Sequence, residues 1–352
     1  MNKRIFIVAF FAFLFLAGSV YAAIGITELR TEQLKNPLGI DVRQPRLGWR
    51  IESDEQNVMQ TAYHILVASS ADLLAQEKGD IWDSGKIESD ASQWIAYQGK
   101  PLKRNARYYW KVKVYTNRGE ADWSAPAFWS MGLLNEADWQ GQWIGLDRAA
   151  SDDSETQWSR LAARYLRKEF ALSKEVKRAT VHIAGMGLYE LFINGQRIGD
   201  QVLAPAPTDY RKTILYNTYD VTPQLRKENA IGVTLGNGRF YTMRQNYKPY
   251  KIPTFGYPKL RLNLIVEYMD GSKETIATNT SWKLTTEGAI RSNNEYDGEE
   301  YDARKELGNW TQSGYDDKSW IAAQRVSIPS GTLRAQIMPG MKVMDTLKPV
   351  SI

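Results

Sequence analysis

No cysteine occurs in the 352 residues, and only two histidines do. The first absence removes disulfides, thiol nucleophiles and cysteine-held metals together. Stability must therefore come from packed aliphatic and aromatic cores, even outside the cytosol. The second leaves little for imidazole chemistry. His64 and His182 each sit inside an apolar, strand-like run, where a structural histidine is expected, and no His-x-x-x-His pair could hold zinc. A Gly-x-Ser-x-Gly elbow is also missing. Charge of one sign is nowhere concentrated. Acidic and basic residues are interspersed, so the net charge of +5 forms no stripe for nucleic acid. The small cluster of Lys103, Arg104 and Arg107 reads as a solvated turn.

Long apolar runs are absent except at the start. Met1-Asn2-Lys3-Arg4, an apolar stretch over 5–17 and small residues to Ala22 read as a secretory signal peptide over 1–22. The apolar stretch is shorter than the roughly 20 residues a membrane-spanning helix needs. Export to a periplasm or the medium is expected, with no membrane span after cleavage and a charge lower by two.

Aromatic residues, by contrast, make up 12 % of the chain. Short segments rich in aromatic and β-branched residues recur with turn signals between them, the pattern of an all-β protein. Over 25–135, Trp110, Val112 and Val114 alternate with Lys111 and Lys113, and residues 71–76 suit one helical turn. A fibronectin-III- or immunoglobulin-like sandwich is expected there. A linker over 136–158, most polar at 149–157, leads to about eight strands over 159–328, expected to form a jelly-roll, galactose-binding-like sandwich. Here Tyr189, Leu191 and Ile193 alternate with Glu190 and Phe192, and Asn194-Gly195 supplies a tight hairpin. Asp270-Gly271 is another turn, and Trp320 returns to the core. Residues 329–352 read as the truncated start of a third β domain.

Catalytic constellations are not specific. Leu235-Gly236-Asn237-Gly238 lacks the third glycine and the helix of a dinucleotide loop, and a turn at the rim of a sandwich is preferred. The densest acidic stretch holds Glu295, Asp297, Glu299, Glu300 and Asp302. Paired carboxylates about 6.5–9.5 Å apart can invert a glycosidic bond, but a strand sends Glu299 and Glu300 to opposite faces. A turn plus strand, with Arg304 paired to a neighbouring carboxylate, is the preferred reading. Sugars stack apolar faces on aromatics and share hydroxyls with Asp, Asn, Arg and Glu. Tyr210, Phe240, Tyr247 and Tyr250 are therefore aromatic candidates. The contacts favoured, with sugar or a neighbouring domain, are Asp209, Arg211, Arg239, Tyr241 and Glu299, none of them catalytic.

Several stretches resemble the bacterial α-L-rhamnosidases of glycoside hydrolase family 78. They include residues 166–170, 187–200, 203–205, 208–211, 216–222, 235–238 and 296–304, with Leu29-Arg30-Thr31-Glu32, Asn36-Pro37-Leu38-Gly39 and Pro45-Arg46-Leu47-Gly48-Trp49 before them. Whole relatives cleave terminal α-L-rhamnose with inversion, using glutamates on an (α/α)6 barrel. The resemblance thus implies a non-catalytic N-terminal portion whose partners are a rhamnose-containing glycan and the absent catalytic domain. In some members the second domain binds rhamnose with calcium. No adjacent Asp-Asn pair stands at 185–189, where its ligands are sought, so no metal or other cofactor is assigned. The alternative is a stand-alone exported lectin or surface-interaction protein built from the same modules.

Overall fold

A computed structural model describes residues 24–148, 161–241, 255–296 and 298–350. The expected signal peptide, the polar linker at 149–157, Asp297, Tyr247 and Tyr250 lie outside the described residues. The protein is nearly all-β, as expected.

The first unit comprises β1 (Gly25–Thr31), β2 (Arg46–Glu52), β3 (Gln60–Ala68), α1 (Ala71–Ala75), β4 (Trp82–Glu88), β5 (Ile95–Ala96), β6 (Arg107–Thr116), β7 (Gly119–Glu120) and β8 (Ala127–Ser130). They form two sheets, β1-β2-β5 and β4-β3-β6-β7, with β8 also paired to β6. Antiparallel register sets Tyr63, Ile65 and Val67 opposite Val114, Val112 and Trp110, and these side chains are buried with Trp49 and Trp129. Each such burial contributes about 1.5–3 kcal/mol for an aliphatic side chain. Helix α1 lasts one turn, capped by the Ser70 hydroxyl accepting from the Leu73 N–H.

Two residues of the basic cluster meet distant carboxylates. Arg107 pairs with Asp220 of the second unit at 2.8 Å, and Arg104 pairs with the buried Asp138 at 2.5 Å. Arg107 is an anchor between the units, whereas Arg104, with its side chain 61 % exposed, stays on a solvated turn as expected and still reaches a carboxylate distant in sequence.

The second unit adds β9 (Ile144–Gly145), β10 (Arg164–Ala171), β11 (Val176–Met186), β12 (Leu188–Ile193), β13 (Gln196–Arg197), β14 (Thr213–Asp220), β15 (Glu228–Gly236), β16 (Lys259–Tyr268), β17 (Lys273–Ala277), β18 (Lys283–Thr285), β19 (Ile290–Asn294), β20 (Gly298–Tyr301), β21 (Ile321–Ala322), β22 (Gln324–Arg325) and β23 (Thr332–Ala335). One sheet runs β13-β12-β15-β10-β18-β21 and the other β22-β9-β16-β11-β14-β23, with β17 also on β16. Leu191, Ile193, Ile231 and Val233 face Val181, Ile183, Leu262 and Leu264 across the core, with Trp282 at 0 % exposure. The β12–β13 turn has Asn194 and Gly195 at φ 51° and 83°, the left-handed pair a tight hairpin needs. In the β16–β17 turn only Gly271 is left-handed, at φ 82°.

Two ends of this unit depart from the expected outline. Trp139 and Trp143, within the expected linker, are buried, and Ile144–Gly145 joins the sheet as β9. Thr332–Ala335, within the expected third domain, pairs in parallel with β14. Both stretches are too short to show a strand period alone.

A polar seam joins the units. The imidazole of His182, fully buried on β11, sits 3.1 Å from Asn105 Oδ1 and 2.9 Å from Thr218 Oγ1. The Arg178 guanidinium donates to the Asn105 carbonyl at 2.6 Å. Gly39, at φ 70°, lies where an added Cβ would be 1.9 Å from Thr218 Oγ1, so only glycine permits this approach.

Candidate functional site

A cleft of about 640 Å³ opens at one end of the second sandwich. Four chain segments build it: the start of β12, the 202–210 loop, the end of β15 with Arg239, and the β19–β20 hairpin, with Met341 at one lip. Backbone space allows them to meet. Gly236 takes the Asn293 side chain so closely that a Cβ would be 2.7 Å from its Oδ1, and at Gly238, φ 50°, a Cβ would be 2.7 Å from Leu188 Cγ.

Asn237 locks the floor. Its backbone N–H donates to Asn293 Oδ1 at 2.6 Å, and its Nδ2 donates to the carbonyls of Leu161 at 2.7 Å and Asn293 at 2.8 Å. Asn237 Oδ1 and Asn293 Nδ2 are buried and make no hydrogen bond among the described residues, a cost normally offset by a water or ligand. The wall is apolar, with Leu188, Val202, Leu203, Ile290 and Met341; the rim carries Glu190, Arg239, Glu295 and Glu299. Arg239 and Glu295 approach to 3.5 Å. Burial, then the negative Glu295, pushes the Tyr210 hydroxyl up to about 12, so it lines the cleft as a neutral phenol.

Of the residues expected from sequence, Arg239 and Glu299 line this cleft. Asp209 and Arg211 pair with each other at 3.0 Å on the surface beside it. Hydrogen bonding from Arg211 holds the Asp209 carboxyl below its usual range. Tyr241 is buried and stacks on Tyr257 at 5.7 Å. Arg304 pairs with Asp302 at 2.8 Å. Asn293 and Met341 were not singled out in the sequence, and Leu203 stood there only within the stretch 203–205 that carries the resemblance. That Leu203 stands at a cleft was not legible, since its φ of 53° and its 55 % exposure are properties of the folded loop. No group of three or more residues among the described ones is placed to hold a metal ion.

The comparisons with known proteins agree on one group. Residues 26–135 match the family described as Rha78A-like, N-terminal immunoglobulin domain, and residues 174–345 match the Alpha-L-rhamnosidase N-terminal domain. An α-L-rhamnosidase of Formosa agariphila is 40 % identical over 90 % of this chain and 35 % of its own length. The solved α-L-rhamnosidase of Dictyoglumus thermophilum superposes with a TM-score of 0.84 at 39 % identity, covering 93 % of this chain and 37 % of that one. The Streptomyces avermitilis α-L-rhamnosidase solved in complex with L-rhamnose gives 0.80 at 25 % identity, over 92 % and 47 %. The chain spans about a third to a half of the length of the relatives it matches.

Proposed function

We infer, from a chain that belongs to the α-L-rhamnosidases of glycoside hydrolase family 78 as their N-terminal portion, that it is the non-catalytic, sugar-binding part of an exported α-L-rhamnosidase. The carrying observation is a cleft whose apolar wall faces a hydrogen-bonding rim. A terminal 6-deoxyhexose such as L-rhamnose matches both. Its methyl group and C–H faces lie against Leu188, Leu203 and Met341, while its hydroxyls meet Arg239 and Glu299. The rhamnose complex of the Streptomyces relative supports this choice of sugar. Bond cleavage is assigned elsewhere, because the resemblance puts the acid and base on a helical barrel and both units here are β-sandwiches.

Calorimetric titration with L-rhamnose tests the reading. Arg239→Ala removes a charged donor and is expected to weaken binding about ten- to hundredfold, the worth of a hydrogen bond to a charged group. Glu299→Gln is expected to weaken it less. Binding is expected to survive EDTA, and p-nitrophenyl α-L-rhamnopyranoside to hydrolyse no faster than in buffer. Equal affinity of Arg239→Ala and parent would overturn the cleft assignment. Turnover lost in Glu299→Gln would overturn the non-catalytic one. Export is tested by the N-terminus of protein recovered outside the cytosol, expected at Ala23.

A further inference from the structure

Trp94, on the first unit, is the one exposed tryptophan among the described residues. It is 54 % exposed and belongs to no hydrophobic cluster of the core. Its backbone is left-handed at φ 61°, an outlier for so bulky a side chain. Both flanks hold it there. On one side the Gln93 amide donates to the Trp49 carbonyl at 2.7 Å, and on the other Ile95 pairs with Leu47 in the sheet. A residue that gains no core packing, yet is kept in an unfavourable conformation, points to a use for its exposed ring.

The ring is also prepared. The guanidinium of Arg46 lies 4.3 Å from its centroid, leaving the opposite face for a ligand. Arg46 is fixed in turn by Glu32, whose side chain is only 2 % exposed. Nε donates to Oε1 at 3.1 Å, Nη2 to Oε2 at 2.6 Å, and the backbone N–H to Oε1 at 2.7 Å. Nη1 makes no hydrogen bond to any of the described residues. A flat aromatic face beside a free, neutralised guanidinium N–H fits a pyranose ring with a neighbouring hydroxyl. The Arg46–Glu32 pair carries no net charge, which favours a neutral sugar over a uronate.

We propose that Trp94 and Arg46 form a second saccharide contact, on the immunoglobulin-like unit and separate from the cleft, that stacks the rings of a neutral polysaccharide. Affinity electrophoresis of the full chain in gels containing rhamnan, galactan, xylan or polygalacturonate tests it. The parent is expected to be retarded by at least one of the three neutral polymers. Trp94→Asn, a residue that tolerates positive φ, is expected to lose about fivefold or more of that retardation and to melt no lower than the parent. Trp94→Tyr is expected to retain most of it. Calorimetric titration of the cleft with L-rhamnose should be the same in parent and Trp94→Asn, so failure of one site is distinguishable from failure of the other. The proposal is overturned by equal retardation of parent and Trp94→Asn, by no retardation in any neutral gel, or by retardation in polygalacturonate alone. A clear fall in the melting temperature of Trp94→Asn also overturns it, since the ring would then be a brace for Arg46.

Discussion

Replacing Arg167 with alanine is expected to destabilise the second unit by about 3–5 kcal/mol, the usual cost of stranding the partners of a buried ion pair. The guanidinium is 1 % exposed on β10 and gathers a distant stretch of chain. Its Nε donates to the Trp310 carbonyl at 2.9 Å and its Nη2 to the Gln312 carbonyl at 3.0 Å, while Nη1 donates to Asp317 and Nη2 also to Glu169. Tyr315 lies with its ring centroid 5.3 Å from the guanidinium carbon. Without the arginine, two carboxylates and two carbonyls each lose a donor, and Glu169 keeps the Gly314 N–H at 2.9 Å. A melting temperature lower by roughly 10 °C is the expected reading, given a few degrees per kcal/mol in a domain of this size. Arg167→Lys keeps the charge but not the fork of donors, so it should fall between the two. A melting temperature unchanged in the alanine variant would show that the 310–317 segment is held by Trp310 and Trp320 instead.

Acid should loosen the protein well before its carboxylates titrate. Burial, followed by repulsion from Arg178, drives His182 down to about 3 from an ordinary value near 6.5. Arg178 is the charged group beside it; Trp139, Tyr216, Asn105 and Thr218 complete its surroundings. The sign follows from which state takes the proton. Above about pH 6.5 both folded and unfolded chains hold a neutral imidazole, and its contribution is fully present. As pH falls from about 6.5 toward 3, the unfolded chain is protonated and the folded one is not. Stability then declines by about 1.4 kcal/mol per pH unit. Urea unfolding at pH 7.5 and 5 should therefore separate by about 2 kcal/mol, a difference much reduced in His182→Gln. With only His64 as a second histidine, an equal slope in the variant would assign the effect elsewhere.

Much of the architecture was legible because it follows from neighbours in the chain. The alternation through Tyr189, Leu191 and Ile193 gave a strand with one buried face, and Asn194-Gly195 gave its turn, since side-chain period and left-handed φ are local properties. The seat of His182 in a strand was legible for the same reason. Its two hydrogen-bond partners from different units were not. The expected linker failed as an outline where Trp139 and Trp143 found a surface to cover. Asp209 and Arg211 were attractive as exposed charges, yet they satisfy each other two residues apart.

The amino-acid sequence by itself determined an all-β chain of two modules, its turns, and its membership among the rhamnosidases. Only the tertiary structure decided which charges became buried anchors, which hairpin closed the cleft around Arg239 and Glu299, and which tryptophan stayed outside. The division has one physical cause. Period and turn chemistry act over a few residues, whereas desolvation depends on what lies opposite in space, often more than a hundred positions along the chain.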